Sequence, residues 1–268
     1  MVLQHFGLRH PPLGKEAVDL WDDGMMAQLA ERFAWLLAAP GVGLITGEPG
    51  VGKTAALRQL TRGLNPHRHL AIYEAETDFG RLDIYRALAR ALGVEPAHRR
   101  AQVWRDLKAR ILELVDGRQL TPVWIIDEAQ NLPPEFFRDL PAFLNFAFDA
   151  RDVMTIWLIG HPVLAQTLER APYAALHSRI QVRVQLRPVI ERERFAALIA
   201  HALKSAGCTH TLIADSGLEI LRQASRGLPR QAGRILNNAM RLAVPRGLNH
   251  LPDDLLQRNY SGSPEYPR

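Results

Sequence analysis

The chain has 268 residues, is 47% hydrophobic and carries a net charge of +5, enough for one α/β domain plus a small appendage. No apolar run approaches the roughly 18 to 20 residues that cross a bilayer, and no charged-then-apolar leader opens the chain. A single cysteine, Cys208, excludes an internal disulfide framework and reads as a small buried residue in a reducing compartment, so a cytoplasmic location is expected.

In chain order, a helical pattern over 25–37 comes first, followed by a strand at 42–46, a Gly-rich turn and a helix over 53–63. A strand at 69–75 precedes helices at 82–92, stopped by Gly93, and at 99–115. The run continues with a strand at 123–127, a helix over 134–148 and strands at 155–160 and 180–186. Strands alternating with helices predict a mainly parallel sheet covered on both faces, a three-layer α/β fold. After Pro188 the strands stop, and 191–205, 216–225 and 230–244 carry apolar residues at helical spacing. That change predicts a small all-helical domain. The tryptophans at 21, 35, 104, 124 and 157 are scattered through these elements and read as packing.

Residues Gly47-Glu48-Pro49-Gly50-Val51-Gly52-Lys53-Thr54 spell GxxxxGK[ST] between the strand at 42–46 and a helix, the context this pattern requires. Gly47, Gly50 and Gly52 allow a tight turn whose N–H groups point at a polyphosphate, and the N-terminus of the helix beginning near Ala55 adds its dipole. Lys53 would reach the β- and γ-phosphates and the Thr54 hydroxyl would bind Mg²⁺. Lysine occurs only at positions 15, 53, 108 and 204, so a lysine here is no drift of an arginine-rich composition.

The apolar run Val123-Trp124-Ile125-Ile126 ends in Asp127-Glu128. A continuous apolar run suits a strand buried on both faces, and its C-terminal end is where open α/β sheets bind ligands. Asp127 is placed to hold the Mg²⁺ shell and Glu128 to orient and polarise an attacking water. Together the two motifs point to a nucleoside triphosphatase with ATP and Mg²⁺ as cofactors. The string Asp127-Glu128-Ala129-Gln130 is also similar to helicase boxes, for which this length leaves no second motor domain. Ten histidines show no paired metal spacing, and no nucleophile-elbow pattern occurs.

The motif order and the core-plus-helical-lid layout resemble the AAA+ ATPases over nearly the whole chain. The resemblance implies three further site residues. Gly160-His161, closing the strand at 155–160, stands where the family places a polar sensor; His161 is either that sensor or a structural loop residue. Ser178-Arg179-Ile180 stands where the family carries an arginine finger acting on a neighbouring subunit; Arg179 is favoured, with Arg183 competing. Gly227-Leu228-Pro229-Arg230 resembles the second sensor, with Arg230 reaching back to the phosphates. A finger acting in trans requires a homo-oligomer, a ring or a helical filament. The implied plan is a segment and first helix over the nucleotide site (1–40), an ATPase core (41–188), a helical lid (189–260) and a fraying tail (261–268).

Phe6-Gly7-Leu8-Arg9 with Pro11-Pro12, the phosphate loop, Asp127-Glu128-Ala129-Gln130 and Gly227-Leu228-Pro229-Arg230 together resemble the ExeA-type group. That group spans secretion ATPases and the transposition ATPases of the MuB, TnsC and TniB kind. Residues 6–11 would then hold the adenine or simply strap the core. Secretion-type members continue into a membrane span and a cell-wall-binding domain, which residues 245–268 do not supply. The stand-alone length therefore favours a regulator of transposition and DNA recombination. Such a regulator assembles with ATP on duplex DNA without reading its sequence, recruits a transposase, with or without an adaptor protein, and meets no membrane. Residues 151–268 carry +7 against −2 for 1–150, which suits nucleic acid and equally suits solvated arginine-rich helices. The candidate DNA contacts are Thr77 and Arg81, after the second strand, and Arg99 and Arg100; the last two could equally be a charged helix start.

Overall fold

The computed structural model describes residues 2–16, 19–76 and 80–258. Five strands, β1 (Val42–Gly47), β2 (His69–Glu74), β3 (Thr121–Ile126), β4 (Thr155–Gly160) and β5 (Ile180–Leu186), form one sheet in the order β2-β3-β4-β1-β5. All four pairings are parallel. The central strands β1 and β4 are buried throughout because both faces are covered, whereas β5 at the edge alternates buried and exposed residues.

The chain forms α1 (Val2–His5), α2 (Met25–Ala38), α3 (Lys53–Arg62), α4 (Asp83–Ala91), α5 (Arg100–Leu112), α6 (Pro134–Phe143), α7 (Pro162–Leu168) and α8 (Ala174–His177). After β5 come α9 (Arg192–Ser205), α10 (Asp215–Ser225), α11 (Pro229–Ala243) and α12 (Asp253–Arg258). Two compact units result. One holds residues 27–48 and 57–186; the other joins the N-terminal segment, residues 49–56 and the chain from residue 187 onward.

In the sheet unit, alternation along the strands divides the core. Trp124, Ile126, Ile156, Leu158, Val42 and Leu44 face α4, α5 and α6, where Tyr85, Leu107, Phe136 and Phe143 are buried. Tyr85 lies 5.0 Å from Phe143 and 5.7 Å from Phe136, ring to ring, an aromatic cluster that locks α4 onto α6. On the opposite face Trp157 stacks on Phe33 of α2 at 5.4 Å. Gly43 beside it must lack a side chain, because a Cβ there would run into the Trp157 ring. Removing either fully buried tryptophan would cost about 3–5 kcal/mol. Trp35, by contrast, is 51% exposed and packs no core.

In the second unit, α9 to α12 bury Phe195, Leu221, Leu236, Met240 and Leu255, and Phe6 and Leu8 join them. Phe6 is 1% exposed, so its part of the 6–11 segment packs a helical core. Cys208 is intermediate in exposure rather than buried, and its thiol donates to the His210 carbonyl at 3.3 Å.

Several boundaries differ from expectation. The helix expected over 134–148 ends at Phe143, and Ala147, Phe148 and Asp149 then adopt φ of 48°, 58° and 63°, incompatible with helix continuation. The helix over 99–115 stops being regular at Leu112 and closes in a wider turn, Glu113–Gly117. The helices α1, α7, α8 and α12 were missed because each is seven residues or shorter and shows no full amphipathic period.

Candidate functional site

The phosphate-loop sequence sits between β1 and α3. Gly47 ends β1 in regular strand geometry, while Gly50 and Gly52 take φ of +86° and +112°. Those two positions require glycine, since an L side chain there is strained. Glu48 and Pro49 are exposed, whereas Val51, Thr54 and Ala55 are half-buried. Lys53 opens α3 and is 5% exposed, a cation held at a helix N-terminus. The Ala56 N–H donates to the Gly52 carbonyl at 2.9 Å, closing the first helical turn.

Arg230 comes to this loop. Its backbone N–H donates to the Gly50 carbonyl at 3.1 Å. A Cβ on Gly50 would lie 2.9 Å from the Arg230 Cβ. Pro229 starts α11 with a fixed φ and no orphan donor, which suits the first helical position. Gly227, at φ +70°, turns the chain into it through a hydrogen bond from the Val189 N–H to the Gly227 carbonyl at 2.9 Å.

Asp127 follows β3 directly and is 3% exposed. Its Oδ2 accepts from the Tyr73 hydroxyl at 2.9 Å and its Oδ1 from the Glu128 N–H at 2.9 Å. A buried carboxylate at the C-terminal end of a parallel strand is of the donor type that suits Mg²⁺, which takes few protein ligands and several waters. Partial burial and the neighbouring Asp127 push the Tyr73 hydroxyl well above its ordinary value, so it stays a donor. Tyr73 was not foreseen: its place beside β3 depends on strand order, which the sequence does not print.

Glu128 takes φ 52°, a left-handed conformation a glutamate rarely adopts. Backbone strain of this kind concentrates at working sites. Glu128 Oε2 accepts from Gln130 Nε2 at 2.7 Å and lies 3.4 Å from His161 Nε2. The His161 N–H donates to Gln130 Oε1 at 3.1 Å. The structure therefore brings together Glu128, His161 and Gln130, the last without an assigned role in the sequence.

Arg179 lies elsewhere. It precedes Ile180, which pairs with Val42 at the start of β1. At about 3.3 Å per residue, that end of the strand is roughly 16 Å from Gly47, where the phosphate loop springs off. Arg179 Nη2 pairs with Asp149 Oδ2 at 2.5 Å and Nη1 donates to the Ala175 carbonyl at 3.4 Å. Arg183 donates to the His177 carbonyl at 3.1 Å.

Of the expected DNA contacts, Thr77 lies outside the described residues. Arg81 grips Asp139 with two bonds of 2.5 and 2.7 Å, and Arg100 Nη2 reaches the same carboxylate at 2.9 Å while covering the Trp104 ring at 4.3 Å. Both guanidiniums are thus engaged in holding α6 to its neighbours, a use that sequence spacing could not reveal. Arg99, just before α5, is exposed. Burial works to raise the Asp139 carboxyl, but the Arg81 bond and the Arg100 charge outweigh it and hold the group below its ordinary range.

Comparison with known proteins places this geometry. Residues 37–168 match the family described as AAA domain. The chain is 28% identical over 259 residues to General secretion pathway protein A of Aeromonas hydrophila, covering 92% of this chain and 46% of that protein. It thus spans about half the length of this curated relative. Among solved structures, Cdc6p from Pyrobaculum aerophilum superposes with a TM-score of 0.71 at 18% identity, covering 92% of this chain and 69% of that one. The Aeropyrum pernix ORC1 protein in complex with DNA gives 0.68 at 17%, covering 93% and 68%. The Thermotoga maritima RuvB Holliday junction branch migration motor gives 0.55 at 16%, covering 90% and 69%. Among the described residues no helix is long and apolar enough to cross a membrane. The five-stranded parallel sheet and the superpositions give this chain the AAA+ ATPase fold, and its residues 37–168, phosphate loop included, are similar to the AAA domain.

Proposed function

We propose that the protein is an ATP-hydrolysing switch of the ExeA type that acts on protein or cell-envelope partners. The observation that carries this reading is the 28% identity to General secretion pathway protein A, which runs through 92% of this chain and so includes the helical unit as well as the ATPase core. That finding favours the secretion-type alternative over the transposition role that chain length had suggested.

In this reading Gly47 to Ala55 cradle the phosphates, Lys53 neutralises them, and Thr54 and Asp127 bind Mg²⁺. Glu128 polarises the attacking water and His161 senses the γ-phosphate. Arg230, seated on the loop backbone, supports nucleotide from the helical unit. Arg179, at the opposite end of the strands from Gly47, suits action on a neighbouring copy's nucleotide, because that end lies too far from its own loop. Turnover then requires a homo-oligomer.

A second reading, assembly on duplex DNA as a transposition regulator, keeps two supports. One is the +7 balance of residues 151–268. The other is the fold shared with a protein solved in complex with DNA. The deciding experiment is co-sedimentation with random-sequence duplex DNA, comparing a non-hydrolysable ATP analogue with ADP, followed by negative-stain imaging. Intact ATPase activity without DNA binding in either state supports the secretion-type reading. DNA binding confined to the analogue, with rings or filaments, overturns it in favour of the second.

A further inference from the structure

Gln130 has no part in the phosphate loop or in either sensor, yet its amide is used at both ends. It lies on the short turn Ala129–Asn131 that follows β3, and one end of the amide donates to Glu128 Oε2 while the other accepts the His161 N–H. His161 is the first residue after β4, the strand hydrogen-bonded to β3. One primary amide therefore ties the ends of two adjacent strands together, and one of its two partners is a carboxylate at the reacting end of the sheet.

The seat is shaped for this side chain. Gly160 leaves room for it, and a Cβ at that position would collide with Gln130 Oε1. Glu128 stands at φ 52°, outside strand geometry, so regular backbone does not aim its side chain. Its orientation is set by the groups that touch Oε2, which are Gln130 at 2.7 Å and His161 at 3.4 Å. Asparagine at 130, one methylene shorter, would reach one of the two partners and lose the other. Alanine would lose both.

We propose that Gln130 is the positioning residue for the water-activating carboxylate. It holds Glu128 Oε2 and leaves Oε1 to take a proton from water, as the water oxygen bonds to the γ-phosphorus and the bond to the ADP oxygen breaks. Through the His161 N–H it also makes the direction of Glu128 follow any movement at the end of β4. This role rests on Glu128 being the base.

The test uses the full chain, steady-state ATPase kinetics with Mg²⁺, and direct titration with a fluorescent ATP analogue. Gln130→Ala should lower kcat by about 10- to 100-fold, the scale of a misaligned reacting group, with KM and analogue affinity unchanged. Gln130→Asn should fall between. Gly160→Ala should give the same split by displacing the amide, and should add much less in the Gln130→Ala background, where only its 2.9 Å approach to Leu164 Cδ2 remains. A kcat equal to the parent's in Gln130→Ala overturns the inference, and so do Gly160→Ala and Gln130→Ala effects that multiply. So does loss of analogue affinity and melting temperature in step with kcat, which a purely structural residue would give. Glu128→Gln separates the two levels. If it turns over like the parent, the base assignment has failed; if it is inert while Gln130→Ala is unimpaired, only the role of Gln130 falls.

Discussion

Replacing Glu128 by glutamine tests the catalytic reading most directly, because the structure allows the shape to survive while the base is lost. The glutamine carbonyl can take the place of Oε2 and accept from Gln130 Nε2, the contact seen at 2.7 Å. What disappears is the capacity to take a proton. General-base catalysis contributes about 10²–10⁴ in rate. At about 1.36 kcal/mol per decade, Glu128→Gln should remove roughly 3–5 kcal/mol of transition-state stabilisation. Nucleotide affinity should stay at the parent's value, and the ATP-bound state should accumulate. A companion substitution isolates the backbone strain. At φ 52° a glutamate sits in a region that costs about 1–2 kcal/mol, whereas glycine tolerates it but loses about 0.5–1 kcal/mol to unfolded-state entropy. Glu128→Gly should therefore be inactive and melt at or slightly above the parent temperature. Coupled-enzyme ATPase rates, fluorescent-nucleotide titration and thermal melts read all three quantities. A Glu128→Gln protein that hydrolyses ATP at the parent rate refutes the assignment. A clearly lower melting temperature for Glu128→Gly refutes the strain argument.

Three further predictions concern other parts of the molecule. Gly50→Ala introduces a side chain at φ +86° and 2.9 Å from the Arg230 Cβ, so nucleotide affinity should fall about 5- to 30-fold, by the 1–2 kcal/mol left-handed penalty alone, while circular dichroism stays unchanged; parental affinity would contradict the loop geometry. Arg179→Ala should abolish turnover yet leave nucleotide binding by the monomer intact, as judged by titration at low protein concentration; loss of binding instead would place Arg179 beside its own nucleotide. Asp139→Asn removes the shared partner of Arg81 and Arg100, which are 46% and 33% exposed, so the cost is about 1–2 kcal/mol at neutral pH, less than for a fully buried pair. Because the folded Asp139 carboxyl titrates below its unfolded value near 3.9, this stabilisation is present above that pH and is lost as pH falls through the folded value. Melting curves of parent and variant should thus converge below about pH 4.

The nucleotide motifs were legible in the chain because their chemistry is local. A polyphosphate cradle needs glycines, a lysine and a hydroxyl within eight consecutive residues, and those residues print their own geometry, as Gly50 and Gly52 at positive φ illustrate. The placing of Asp127-Glu128 directly after a buried strand was equally local, since the apolar run before the two acids marks that strand in the sequence. The alternation of strands and helices gave a parallel sheet covered on both faces, and hydrophobic periodicity placed most elements within a few residues.

Tertiary structure decided what depends on neighbours distant in sequence. Strand order β2-β3-β4-β1-β5 put Tyr73 against Asp127, and β4 beside β3 let Gln130 bridge Glu128 and His161. Asp139 pairs with both Arg81 and Arg100, although both look available in the sequence. Phe6 became core of the helical unit, and Arg230 met Gly50 across some 180 positions. In each case the deciding term is a hydrogen bond, an ion pair or a packed ring between residues far apart in the chain. Residue type announces that such a partner is needed; only the folded topology names it.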